Sequence, residues 1–119
     1  MIPAYEAFMR PLLEILATGP RSCPDAADRV ADALGLESAA RAERSRWDGV
    51  PVVETRVRKA AEDLAQAGLV TRIVGELSLS SAGRESLPGL PARIDVPYLQ
   101  AHFPQYAAYR EELLKRRGA

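Results

Sequence analysis

Apolar residues recur along this chain at helical spacing, then at every second position, then at helical spacing again. In "YEAFMRPLLEILATG", Tyr5, Phe8, Met9, Leu12, Leu13 and Leu16 fall three or four apart, and Gly19-Pro20 ends the run. That period predicts a first helix. Pro11 lies inside it and cannot donate to the carbonyl of Ala7, so a kink or break is expected there. In "SCPDAADRVADALGL", Ser22 stands as an N-cap three residues before Asp25, Ala27, Val30, Ala31 and Leu34 share a face, and Gly35 is the stop. This predicts a short second helix. The next segment, "ESAARAERSRWDGV", is polar, with room for a turn of helix, and reads mainly as a connecting loop pinned by Trp47.

A third helix begins near Pro51 and stops before Gly68. Its buried stripe is Val53, Val57, Ala60, Ala61 and Leu64, which leaves Thr55, Lys59, Glu62 and Gln66 along the opposite exposed line and Arg56 and Arg58 on the flanks. Then the period shortens. "LVTRIVGELSLS" predicts two strands, Val70 to Val74 and Leu77 to Ser80, joined by a Gly75-Glu76 turn with glycine first. "SSAGRESL" reads as a short helix capped by Ser80 or Ser81, and "PGLPA" as a spacer. Asp95 and Pro97 open a further helical stretch, broken or restarted at Pro104, with Phe103, Tyr106, Tyr109 and Leu113 as a stripe.

Three helices followed by a two-stranded hairpin is the order of a winged helix-turn-helix, whose third helix enters the DNA major groove. The expected class is mainly α with a small β-hairpin, extended by extra C-terminal helices. Residues 1–90 make the winged helix-turn-helix and 91–119 the extension. The aromatic stripe of that extension has two readings. It forms a homodimer interface, since aromatic residues are favoured at interface centres, or it folds back over Phe8, Leu12 and Leu16 of the same chain.

Charge sharpens the reading of the third helix. The chain has 16 basic and 16 acidic residues, so it does not coat nucleic acid by bulk charge. Yet residues 1–40 carry a net −3 and residues 41–59 a net +3, with Arg41, Arg44, Arg46, Arg56, Arg58 and Lys59 against three carboxylates. The cations of the third helix precede its anions, an order the helix dipole disfavours by about 0.3–1 kcal/mol per exposed charge at low salt. A recognition helix offers its N-terminal residues to bases and phosphates, which gives that order a use. The plain alternative is a solvated face kept soluble by Arg58–Glu62 and Lys59–Asp63 pairs one turn apart. Charge alone leaves both open.

Composition excludes several other classes. A chain of 119 residues is about one domain, and no apolar run approaches the roughly 20 residues of a membrane span. "MIPAYEAFMRP" lacks the basic start of a secretory signal, so a cytoplasmic protein with no membrane partner is expected. Cys23 is the only cysteine, which rules out an internal disulfide and a cysteine-based zinc cluster. His102 is the only histidine and reads as a helix-end residue rather than part of a metal site or triad. No GxxxxGK[ST] or GxGxxG loop is present. Neither a catalytic residue, a metal ligand nor a cofactor is therefore expected. "KRR" at 115–117 reads as cations suited to a helix C-terminus.

The stretch "IPAYEAFMRPLLEILATGP", with "ADALGL", "RVRKAAEDLAQAGLV" and "LSLSSAGRESL" after it in that order, resembles the N-terminal domain of Mrr-type restriction endonucleases. The ending "RIDVPYLQAHFPQYAAYRE" is similar to the tail that this family places after its winged helix. The resemblance implies the DNA-binding part of enzymes that cut modified, typically methylated, foreign DNA. In those enzymes a PD-(D/E)xK nuclease follows, with a lysine two residues after an acidic residue or glutamine. Here Val57 precedes Lys59 and Leu113 precedes Lys115 at that distance, and these are the only lysines. The signature is absent.

The expected function is thus a non-catalytic module for double-stranded DNA in a restriction system, with Arg46, Thr55, Arg56, Arg58, Lys59, Arg72 and Arg84 as its contacts and a nuclease domain or subunit as a further partner. The wing is weakly basic, since Arg72 is its only cation and Glu76 stands at its tip. The alternatives are a winged-helix interaction or dimerisation module and a small transcriptional regulator.

Overall fold

The computed structural model describes residues 2–118. A 3-10 turn over Tyr5–Phe8 runs into α1 (Met9–Leu16), followed by α2 (Cys23–Ala33), α3 (Ser38–Ala42) and α4 (Val52–Gln66). The hairpin is β1 (Val70–Ile73) and β2 (Glu76–Leu79), and α5 (Ser81–Ser86), α6 (Val96–His102) and α7 (Pro104–Gly118) follow. The protein is mainly helical with one small antiparallel hairpin, the winged-helix class its apolar pattern predicts.

The break expected at Pro11 lies just upstream of it. The tighter 3-10 turn ends at Phe8, and Pro11 sits in the first turn of α1, where a missing N–H leaves no helical bond unmade. Ser22 caps α2 as expected, its hydroxyl accepting from the Asp25 N–H at 3.2 Å. The core joins Phe8, Met9, Leu12, Leu13 and Leu16 to the alanine-rich face of α2 and to Val53, Val57, Ala60, Ala61 and Leu64 of α4. Those alanines let the helices approach closely.

Two details of the hairpin differ from the sequence expectation. The register pairs Ile73 with Glu76, so the turn is Val74-Gly75 and Glu76 belongs to β2. Gly75 has φ +77°, which suits the second central position of a type II turn rather than the first. The hairpin is also anchored from outside: Arg21, just before α2, exchanges both backbone hydrogen bonds with Leu77, at 2.9 and 2.7 Å. One residue of a third strand thereby ties the wing to the helix-turn-helix.

The segment between α2 and α4 departs further. Trp47 pins nothing: it is 90% exposed. The loop holds itself by backbone and polar side-chain bonds instead, with Arg44 paired to Pro51, Ser45 N–H donating to the Val50 carbonyl and Gly49 N–H to that of Ser45.

The C-terminal stripe folds back, mostly onto α4 rather than α1. Tyr106 is fully buried, and Phe103 and Tyr109 pack half-buried against the core. Tyr109 donates to Glu62 at 3.3 Å and Gln105 to the Gln66 carbonyl at 3.0 Å. At the other end, the Glu6 carboxylate accepts from the Val96 N–H at 2.7 Å, and Arg10 donates to the Leu90 carbonyl at 2.8 Å. The aromatic residues suggested as a dimer interface are occupied inside the chain.

Candidate nucleic-acid interface

Because the core stripe of α4 faces α1 and α2, its opposite side is left to α7 at the C-terminal end and to the hairpin and solvent elsewhere. Between α4 and the hairpin lies a cleft of about 430 Å³, lined by Thr55, Arg58, Lys59 and Glu62 of α4, Arg72 and Leu77 of the hairpin, and Cys23 at the start of α2. Three cations face one carboxylate there. Four of the seven residues expected from the sequence are brought together: Thr55, Arg58, Lys59 and Arg72. The strand register accounts for Arg72, which stands directly across from Leu77 on the same cleft wall.

The other three do not reach the cleft. Arg56 has a structural engagement of its own. Its guanidinium donates to the carbonyls of Ile2, at 2.9 Å, and Pro3. It fastens the N-terminal segment to α4 through its Nη1. Arg84 is exposed on α5 and donates to the Ala17 carbonyl at the C-terminal end of α1 at 3.4 Å. Arg46 is exposed in the loop before α4, near that helix's N-terminus and outside the cleft lining.

The charge order of α4 has a local explanation as well. Arg58 pairs with Glu54 at 3.0 Å, one turn back, and not with Glu62, whose carboxylate accepts from Tyr109. Lys59 does meet Asp63, at 3.7 Å, and lies 5.6 Å from the centre of the Tyr5 ring. Arg58 keeps 56% of its side chain exposed while its partner Glu54 is 14% exposed, so the pair is anchored on the carboxylate side and the guanidinium keeps a face open to solvent. The far half of the exposed line is covered by α7, which contacts Glu62 and Gln66. What remains accessible is the N-terminal half of α4, the half that carries the cations.

Asp63 departs furthest from the solvated face expected of the charged residues of α4. It is fully buried, and its carboxylate accepts from the Tyr5 hydroxyl at 2.8 Å. Burial raises the pKa of Tyr5 well above the ordinary tyrosine value, and the hydrogen bond to Asp63 raises it further. Burial does the same for Tyr106, reinforced by the negative charge of Asp63. The signal lies in the helix period: Asp63 sits three after Ala60 and four before Ala67, both buried, so the covered face of α4 is wider than its five-residue stripe. Cys23 joins the cleft because the fold brings the start of α2 to the hairpin, a proximity with no signal in the local sequence.

Among the described residues, no group of three His, Cys, Asp or Glu side chains is placed to hold a metal ion, and no helix is long and apolar enough to cross a membrane. The family model of the Mrr N-terminal domain matches residues 5–88. The chain belongs to the Mrr N-terminal domain family. No curated protein and no solved structure matches it. The matched part of this Mrr N-terminal domain runs from the 3-10 turn through α5, and so contains the whole cleft. The family is an accessory domain without catalytic function of its own, associated with Mrr-type restriction systems.

Proposed function

We propose that this Mrr N-terminal domain is a non-catalytic module that binds double-stranded DNA, with a nuclease domain or subunit as its working partner. The observation that carries the reading is the shared cleft. Arg58 and Lys59 on α4 and Arg72 on the hairpin line one open surface, with Thr55 beside them as a hydroxyl donor and acceptor. A recognition helix and a wing that converge on one surface suit a duplex, in which phosphates on either side of the major groove are met by cations while the helix N-terminus approaches base edges. Arg46, exposed in the loop before that N-terminus, adds a phosphate contact in this reading. The modest cation count and the three structural engagements of Arg56, Arg84 and Lys59 favour moderate rather than tight affinity.

Fluorescence anisotropy of a labelled duplex at low salt tests this directly. Saturable binding is expected, and the duplex should remain uncut after incubation with magnesium, since neither lysine stands in a nuclease signature. Absence of binding at low salt would refute the reading. Cleavage that disappears on changing one of the chain's carboxylates would refute its non-catalytic part.

A further inference from the structure

The loop from Glu43 to Pro51 is built to hold a shape. Its ends are joined by the Arg44–Pro51 bridge and by Val52 N–H donating to the Glu43 carbonyl at 3.0 Å. Ser45 N–H reaches the Val50 carbonyl and Gly49 N–H the Ser45 carbonyl, both at 2.9 Å, and Gly49 takes φ +70° to close the turn. Side chains brace it further: the Asp48 carboxylate accepts from the Val50 N–H at 3.0 Å, and the Arg44 guanidinium donates to the Gly49 carbonyl at 2.8 Å. On the apex of this closed loop stands Trp47, its own N–H donating to the Ser45 hydroxyl oxygen at 3.2 Å and its ring in solvent.

A turn held by polar groups has no need of an indole. Displaying one at 90% exposure adds nothing to the core, and the surrounding hydrogen bonds fix where it is displayed. The loop leads within five residues into α4, whose N-terminal half lines the cationic cleft, and Arg46, the residue before Trp47, is exposed as well. An exposed aromatic face in the loop that leads into the cation-bearing half of α4 matches the flat face of a nucleobase. In a perfect duplex those faces are hidden in the stack, and exposing one is least costly where a base is already unpaired or mismatched.

We propose that Trp47 is a stacking residue for an unpaired or extruded nucleobase, acting at the N-terminal end of α4 while the cleft holds the adjoining backbone. The inference rests on the DNA-binding reading and adds to it a preference for duplexes with a disturbed stack.

Trp47 is the one tryptophan in the chain, so its emission reports on the loop without labelling. The full chain is titrated with a perfect 16-base-pair duplex and with the same duplex carrying one unpaired central base. The expected result is quenched Trp47 emission and tighter binding of the bulged duplex by about tenfold or more, in keeping with the usual worth of one base stacked on an aromatic ring. Trp47→Ala should bind both duplexes alike and Trp47→Phe should keep part of the preference, with both variants melting as the parent does because the ring supports no core. Equal affinities for the two duplexes, or binding of both with unquenched emission, would overturn the inference and leave the DNA-binding reading standing. A change of solution mass in Trp47→Ala with emission indifferent to DNA would also overturn it, in favour of a protein contact. Failure to bind either duplex would remove both readings.

Discussion

Asp63 is where the sequence-level picture of α4 and the folded molecule differ most. A carboxylate on a charged helix reads as surface, yet this one is buried under the 3-10 turn and α7, with the Tyr5 hydroxyl and the Lys59 ammonium as partners. Asp63→Ala would strand the Tyr5 hydroxyl and leave Lys59 beside an uncharged cavity, and we expect it to lower unfolding free energy by about 3 kcal/mol in urea titrations. A loss below about 0.5 kcal/mol would mean that the carboxylate is solvated. The tyrosines give a linked pH dependence. Burial first, and carboxylates second, raise the pKa of Tyr5, Tyr106 and Tyr109 in the folded state. The folded protein therefore holds these protons more tightly than the unfolded chain. Their contribution is fully present below the unfolded tyrosine value near pH 10 and declines as pH rises above it toward the folded values. Stability should be level on their account to about pH 9 and fall beyond pH 10, while absorbance near 295 nm shows them ionising late. Ionisation near pH 10 without loss of structure would contradict this. Arg56 illustrates the same limit on local reading from the cationic side. Its partners are carbonyls more than fifty positions away, and nothing near it in sequence announces them.

At the scale of elements, the three principal helices are legible because their apolar period, caps and stops are written within each segment. The hairpin is legible in kind, though its turn shifts by one residue, since register is set by pairing across strands rather than by the turn alone. The segment between α2 and α4 is not legible in this way. Its shape comes from loop hydrogen bonds whose donors and acceptors have no periodic signature, and a lone tryptophan in a polar run suggests burial on composition when the structure exposes it. The short helix α5 is constrained by a close approach that the sequence marks only as a glycine. A Cβ at Gly83 would overlap the Leu69 carbonyl oxygen and crowd Leu79, while the Gly83 N–H is held by the Ser80 hydroxyl at 2.9 Å. Gly83→Ala should therefore lower the melting temperature by several degrees, corresponding to about 1–3 kcal/mol of overpacking, although alanine is the better helix former. An unchanged or raised melting temperature would show that α5 can move away from Leu69 and Leu79 freely.

Taken whole, the molecule is a winged helix whose C-terminal helices return over α4 and divide its outer face in two. The covered half holds Asp63 and Gln66; the open half holds Thr55 and Arg58, with Lys59 and Glu62 at the boundary, Glu62 both lining the cleft and accepting from Tyr109 of α7. That division makes the cleft small and its cations few, and it takes up Phe103, Tyr106 and Tyr109 inside the chain, so a dimer built on those rings would have to give up these contacts. The central claim is that the cleft, and not the general basic content of α4, binds duplex DNA. The slope of log affinity against log salt concentration tests it most directly, because it counts the phosphates engaged. With Arg58, Lys59, Arg72 and Arg46 each neutralising one phosphate, the slope for the full chain should be about −3.6, each contact contributing roughly −0.9. Replacing Arg58 and Arg72 together with alanine should weaken binding and bring the slope to about −1.8. Arg56→Ala should leave the slope where it was, because that side chain lies outside the cleft and holds the N-terminal carbonyls through its Nη1. A flat salt response in the full chain, or a slope that falls with Arg56 and not with Arg58 and Arg72, would contradict the account.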